Sequence, residues 1–213
     1  MSDKMEVYYF SPTGGTKKVS GIVVDAMEKE VIWHDLGSKK PMMEKPEGEM
    51  IVIAAPVFGG RIPSVVREKI EKLSGTGKKA VTIAVYGNRA YEDALLEMND
   101  ILIKCGFTVI ASGAFVAQHS MAPEVGAGRP DGEDEKEIHK FAESVKNSTA
   151  TENVHVPGNR PYKPELNMPV TPISLSSCTK CGKCVTICPT NAISVADGAV
   201  ITDTEKCILC MAC

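Results

Sequence analysis

Seven of the 8 cysteines lie in the last 36 residues, and the last 40 residues contain no Phe, Tyr or Trp. A segment so poor in large apolar side chains cannot bury enough surface to fold alone, so metal or covalent staples must hold it together. The aromatic residues all fall between Tyr8 and Tyr162, so the 213-residue chain has room for one ordinary domain ahead of this tail. Charges at Asp3, Lys4 and Glu6 exclude a signal peptide. The most apolar stretch, residues 50–60, is about half as long as a membrane helix. We therefore expect a cytoplasmic protein with no membrane segment. The formal net charge of −3 gives no basic excess for nucleic acid. In a reducing compartment cysteines serve as metal ligands or redox groups more often than as disulfides.

The tail carries its own repeat. Cys178, Cys181, Cys184 and Cys188 are spaced C-x2-C-x2-C-x3-C and followed by Pro189. Cys207, Cys210 and Cys213 repeat the first two spacings 29 residues later. Such spacing gathers three thiolates around one face of an iron–sulfur cubane. Structural zinc is the competing reading, since C-x2-C pairs also build zinc ribbons. Two short β-rich runs flank Asp197 and Gly198, a hairpin turn signal. Over residues 173–213 the chain resembles a bacterial ferredoxin with two 4Fe-4S clusters. That resemblance implies that Cys188, Cys207, Cys210 and Cys213 hold one cluster, because the fourth cysteine of each run ligates the other one. Cys178, Cys181 and Cys184 then hold the second cluster, whose fourth ligand is expected four residues past Cys213. We accordingly expect the natural chain to continue. Cys105, at the end of an apolar helix, reads as an inert bystander.

Residues 1–147 alternate between two periodicities. β-rich runs mark strands near residues 6–10, 31–36, 50–55, 80–86 and 107–117, and that of 50–55 is unbroken and apolar, as expected of a strand covered on both faces. Between them, helical spacing predicts helices over 16–28, from Pro63 to about Leu73, and over 90–105, closed by Gly106. Asp131 is positioned to cap a last helix carrying Ile138, Phe141, Ala142 and Val145. Residues 37–49 and 118–130 read as loops. Five strands alternating with helices predict a doubly wound α/β parallel sheet, whose ligand sites lie at the carboxyl ends of the strands.

Three loops reach that end. Ser11, Pro12, Thr13, Gly14, Gly15 and Thr16 join the first strand to its helix and suit a phosphate at a helix N-terminus. They form neither a dinucleotide fingerprint nor a Walker loop. Gly75-Thr-Gly-Lys78 runs from helix to strand, the reverse of a P-loop, and reads as a polar turn. No acidic cluster stands at the end of strand one, as a response regulator with the same fold would need. The Ser-x-Thr-Gly-x-Thr loop resembles that of flavodoxins, with Gly15 where those proteins commonly carry Asn. Pro56, Val57, Phe58, Gly59 and Gly60 after strand three, and Tyr86, Gly87, Asn88 and Tyr91 after strand four, match the two flavodoxin loops around the isoalloxazine. The resemblance implies FMN, with Phe58 or Tyr91 stacked on the ring and flexible backbone at Gly59 and Gly60. Arg61, Arg89, Gln118, His119 and Arg129 are further candidates to meet flavin or partner.

Together the halves resemble flavodoxin–ferredoxin fusion proteins. Residues 148–172 connect them and hold five prolines, which favour an extended spacer. Arg160 and Tyr162 offer the alternative of docking it on the first domain. The implied role is electron transfer between FMN, the clusters and redox partner proteins. A reductase in which FMN acts directly on a small acceptor such as a quinone, and a non-redox regulatory module with a zinc tail, are the alternatives. Neither a catalytic triad nor a nicotinamide motif is visible. FMN phosphate and two clusters would bring the net charge to about −9, suiting a basic face on a partner.

Overall fold

The structure, a computed structural model, describes residues 4–166, 168–196 and 198–213. Five strands, β1 (Lys4–Tyr9), β2 (Glu30–Asp35), β3 (Met50–Pro56), β4 (Lys79–Tyr86) and β5 (Thr108–Val116), form one parallel sheet in the order β2-β1-β3-β4-β5. Four helices, α1 (Gly15–Asp25), α2 (Ser64–Ile70), α3 (Ala94–Lys104) and α4 (Gly132–Lys146), cover its two faces. Alternation along β3 divides the core. Ile51, Ile53 and Ala55 pack toward α2 and α3, whereas Val52 and Ala54 pack toward α1 and α4. Every residue from Ile51 to Ala55 is fully buried, which is why this strand tolerates no polar side chain. The direction of winding reverses between β1 and β3, and this switch point opens a crevice at the carboxyl ends of the strands.

Local chemistry explains most helix limits. Asp131 caps α4 through a capping box: its Oδ1 accepts from the Glu133 and Asp134 amides at 2.9 and 3.1 Å, and Asp134 accepts from the Asp131 amide at 2.9 Å. Gly106 ends α3 at φ 84°. The start of α3 differs from the helix expected over 90–105: it begins at Ala94. Asp93 stands at the capping position but makes no capping bond. Its carboxylate instead accepts from the amides of Asn159 at 2.8 Å and Lys163 at 2.7 Å.

The connecting segment is thus docked rather than free. Val154 and Val156 pack against the core beneath α3, and the Val154 amide donates to the Val109 carbonyl at 2.8 Å. Arg160 forks onto Asp100 at 2.9 and 2.5 Å, and the Tyr162 hydroxyl donates to the same carboxylate at 2.5 Å. Arg61 bridges the layers: it pairs with buried Glu97 at 2.8 and 2.6 Å, donates to the Lys163 carbonyl at 2.6 Å, and lies 4.7 Å from the Tyr162 ring centre. Arg67 pairs with both Glu97 and Glu165.

The tail folds as a short helix, α5 (Lys183–Ile187), and an antiparallel hairpin of β6 (Ile193–Ala196) and β7 (Ala199–Thr202). Of the expected turn, Gly198 has φ 72°, and Asp197 lies outside the described residues. A small core of Cys188, Ala192 and Ile193, with Val185 and Val200 against it, holds this unit together. The tail also reaches the first domain. Cys210 is buried in the α2–α3 core with Ile208 and Ala212 packed beside it, and the Lys39 ammonium donates to the Val185 carbonyl at 3.1 Å. Among the described residues no helix is long and apolar enough to cross a membrane.

Candidate functional site

The crevice at the switch point is a cleft of about 750 Å³, within the roughly 300–1,000 Å³ of small-molecule sites. Thr13, Gly15 and Thr16 line one end of it. The Ser11 hydroxyl accepts the Lys17 amide at 2.9 Å, which pins the loop onto the helix. Gly14 stands at φ 94°, a conformation that favours glycine, and as the capping residue it has no side chain to offer the amides that precede Lys17. No acidic residue occupies the first turn, so the free amides there suit an anion such as a phosphate. Gly15 has a packing reason. A Cβ on it would stand 3.2 Å from that of Ala117, tighter than ordinary contact.

The second loop turns sharply. Phe58 and Arg61 exchange backbone hydrogen bonds at 2.9 and 3.2 Å around Gly59 and Gly60, whose φ values of 60° and 93° are the positive angles of a type I′ turn. Pro56, Val57, Phe58 and Gly59 line the cleft; Gly60 faces Glu92 instead. In the third loop Tyr86 and Gly87 line the cleft and Gly87 is covered by the His119 ring. Tyr91 does not line it. Its ring leans edge-on against Tyr86, centroids 5.7 Å apart. Of the two aromatics expected to stack on the ring, Phe58 lines the cleft and Tyr91 does not, and Tyr86 lines it as well. Asn88, at φ 63°, bonds Arg129 and shapes the loop from outside.

The charged candidates are already engaged. Arg61 serves Glu97 and the connecting segment, Arg89 pairs with Glu92, and Arg129 pairs with Asp134. Gln118 and His119 do line the cleft, with the His119 Nδ1 accepting the Met121 and Ala122 amides at 3.2 and 3.1 Å. Sequence reasoning missed the rest of the wall. Glu165, Leu166, Met168 and Pro169 of the connecting segment, and Thr204, Glu205, Cys207, Ile208 and Leu209 of the tail, complete the cleft.

The cysteine loops share a backbone pattern as well as a spacing. Lys180 and Gly182 flank Cys181 at φ 58° and 77°, and Leu209 and Met211 flank Cys210 at φ 52° and 60°. Three of these four residues carry a Cβ, so both loops store strain at matching positions. Left-handed residues alternating with right-handed ones turn successive amides toward a common point, an anion nest used by iron–sulfur sites. The thiols of the two runs lie within electrostatic reach: burial raises the pKa of Cys210, and the charges of Cys188, Cys213 and Cys207 raise it further. Cys213 is raised by burial and by Cys207, Cys188 and Cys184. Burial also opposes ionisation of Cys188, but donors on Thr190, Ala192 and Ile193 outweigh it and the net direction is down. Crowded thiolates of this kind suit a cationic iron core, which relieves their repulsion. Cys178 and Cys181 are exposed and Cys184 half-buried. Among the described residues no three His, Cys, Asp or Glu side chains form a single-ion site. Cys105 sits apart, its sulfur 3.6 Å from the Ile70 carbonyl oxygen, and burial raises its pKa.

Comparison with known proteins agrees with this division. A family model described as "4Fe-4S binding domain" matches residues 171–194. Among solved structures, oxidised flavodoxin 1 from Bacillus cereus superposes with a TM-score of 0.52 at 18% identity, covering 68% of this chain and 99% of that one. The flavodoxin of Streptococcus pneumonia TIGR4 gives 0.51 at 17% identity, covering 67% and 97%. The chain joins a flavodoxin-like fold to a 4Fe-4S binding domain. A short-chain flavodoxin associated with a non-canonical PDU bacterial microcompartment also matches the flavodoxin-like part, at a TM-score of 0.52 and 19% identity, covering 67% and 95%. No curated protein matches the chain. The fold and the 4Fe-4S domain support an electron-transfer role.

Proposed function

We propose that the protein is a cytoplasmic electron carrier that relays electrons between FMN, two 4Fe-4S clusters and redox partner proteins. Residues 1–147 hold FMN, 148–172 connect, and 173–213 hold the clusters. The observation that carries this reading is a single cleft lined by Thr13 and Thr16, by Phe58 and Tyr86, and by the cysteine loop at Cys207. FMN accepts or donates one or two electrons when bound, whereas each cluster handles one. The chain supplies binding and environment. The Thr13 and Thr16 region and the free amides of α1 take the phosphate. Phe58 and Tyr86 offer π faces to the ring, and Pro56 and Val57 exclude water. Cys188, Cys207, Cys210 and Cys213 hold one cluster in their nest, and Cys178, Cys181 and Cys184 contribute to the other.

Direct reduction of a small acceptor is the less supported role, because the cysteine-bearing tail itself supplies part of the cleft wall. Anaerobic reconstitution of the full chain tests the reading. The expected product has a flavin spectrum overlaid on a broad iron–sulfur band, with cluster EPR signals on reduction. A colourless product that binds neither group rejects it.

A further inference from the structure

The loop that carries Cys207 does two jobs at once. Its Cys207 and Leu209 line the same cleft as Phe58 and Tyr86, while the neighbouring Cys210 is buried in the core of the first domain. Ile208 both lines the cleft and packs against that core. The loop is therefore anchored from behind and cannot leave the cleft without pulling Cys210 and Ile208 out of apolar contact, a cost that rises with the area exposed. A second element presses from the side. Leu166 lies over Gly59, where a Cβ would stand 2.5 Å from its own, and the segment leading to it is tied to α3 through Asp93 and Asp100. None of Cys178, Cys181 and Cys184 lines the cleft, and the first two are exposed.

We infer that FMN and the cluster on Cys188, Cys207, Cys210 and Cys213 share one wall, so that loading either group tightens the binding of the other, and that electrons cross this wall rather than passing directly from the outer cluster. The inference rests on the flavo-iron-sulfur reading above. One electron crosses at a time. The donor side is oxidised by one and the acceptor side reduced by one, any proton comes from water, and a redox partner protein restores the donor side. The outer cysteines do not line the cleft, and exposed Cys178 and Cys181 are left to face that partner. A shared wall makes the coupling reciprocal: whatever factor cluster loading adds to FMN affinity, FMN adds to cluster retention.

The test is calorimetric titration of FMN, without oxygen, into the full chain in its cluster-loaded and cluster-free forms. Loading is expected to tighten FMN binding by at least about fivefold, and FMN to slow iron loss to a chelator correspondingly. In the loaded protein Leu209→Ala is expected to weaken FMN binding several-fold at unchanged iron content, whereas Ile173→Ala, at an exposed position away from the cleft, leaves it within twofold. Equal affinities in the two forms, or a silent Leu209→Ala, overturn the shared wall alone. FMN binding to neither form overturns the flavin reading and this inference with it.

Discussion

Leu166 lies across Gly59: a Cβ on the glycine would stand 2.5 Å from the Cβ of the leucine. The contact ties the connecting segment to the turn that shapes the cleft. Gly59 also has φ 60°, so a side chain there is strained twice. Gly59→Ala is expected to cost about 1–3 kcal/mol of stability and to weaken FMN binding, read by denaturant melts and flavin titration. Gly21 is the opposite case. It sits in α1 with open space where a Cβ would go. Gly21→Ala is expected to stabilise the protein by up to about 1 kcal/mol.

The aromatic assignments separate two substitutions. Phe58 lines the cleft and Tyr91 leans on Tyr86 behind it. Phe58→Ala is expected to weaken FMN binding by about tenfold, the loss of one aromatic contact. Tyr91→Leu is expected to shift it less than threefold.

The docked segment is expected to loosen in acid. Burial raises the pKa of Asp93, but donors from Lys163 and Asn159 outweigh it and hold the carboxylate below the ordinary 3.8. Arg160 first, then Tyr162, hold Asp100 below the same value despite burial. For a depressed pKa the stabilisation is full above the unfolded value and disappears as pH falls through the folded one. Proteolytic nicking within residues 153–165 is therefore expected to be absent at pH 5 and to appear below about pH 3.8. Nicking at equal rates across that range contradicts the role given to these carboxylates.

The cysteines divide by place. Cys105→Ala, whose thiol lies against the Ile70 and Glu71 carbonyls, is expected to leave iron and sulfide content unchanged. Cys210→Ala removes the central thiol of one nest and a buried contact with the first domain. Iron is expected to fall by about half, the content of one of two cubanes. Iron analysis of the two variants, purified without oxygen, checks both outcomes.

Much of this architecture is written in local patterns. The apolar run of β3 and the spacing of Val19 and Val23 on α1 report burial that each residue's own neighbours impose. The cysteine spacing and Asp131 at the start of α4 are equally local. What the pattern does not carry is partnership across long separations. Asp93 stands at the capping position of α3, yet its oxygens go to amides 66 and 70 residues away. Arg61 sits in a cleft loop but turns to Glu97 and Tyr162. α3 starts at Ala94, later than its helical spacing suggests, so Tyr91 precedes the helix. That the Cys207 loop would wall the first domain's cleft could be found only by folding both halves together, since nothing in either motif refers to the other.

The most direct measurement is the flavin, iron, sulfide and zinc content of the full chain purified without oxygen. The account predicts FMN together with iron and acid-labile sulfide, and no stoichiometric zinc. A protein carrying zinc in the tail and no flavin would contradict it.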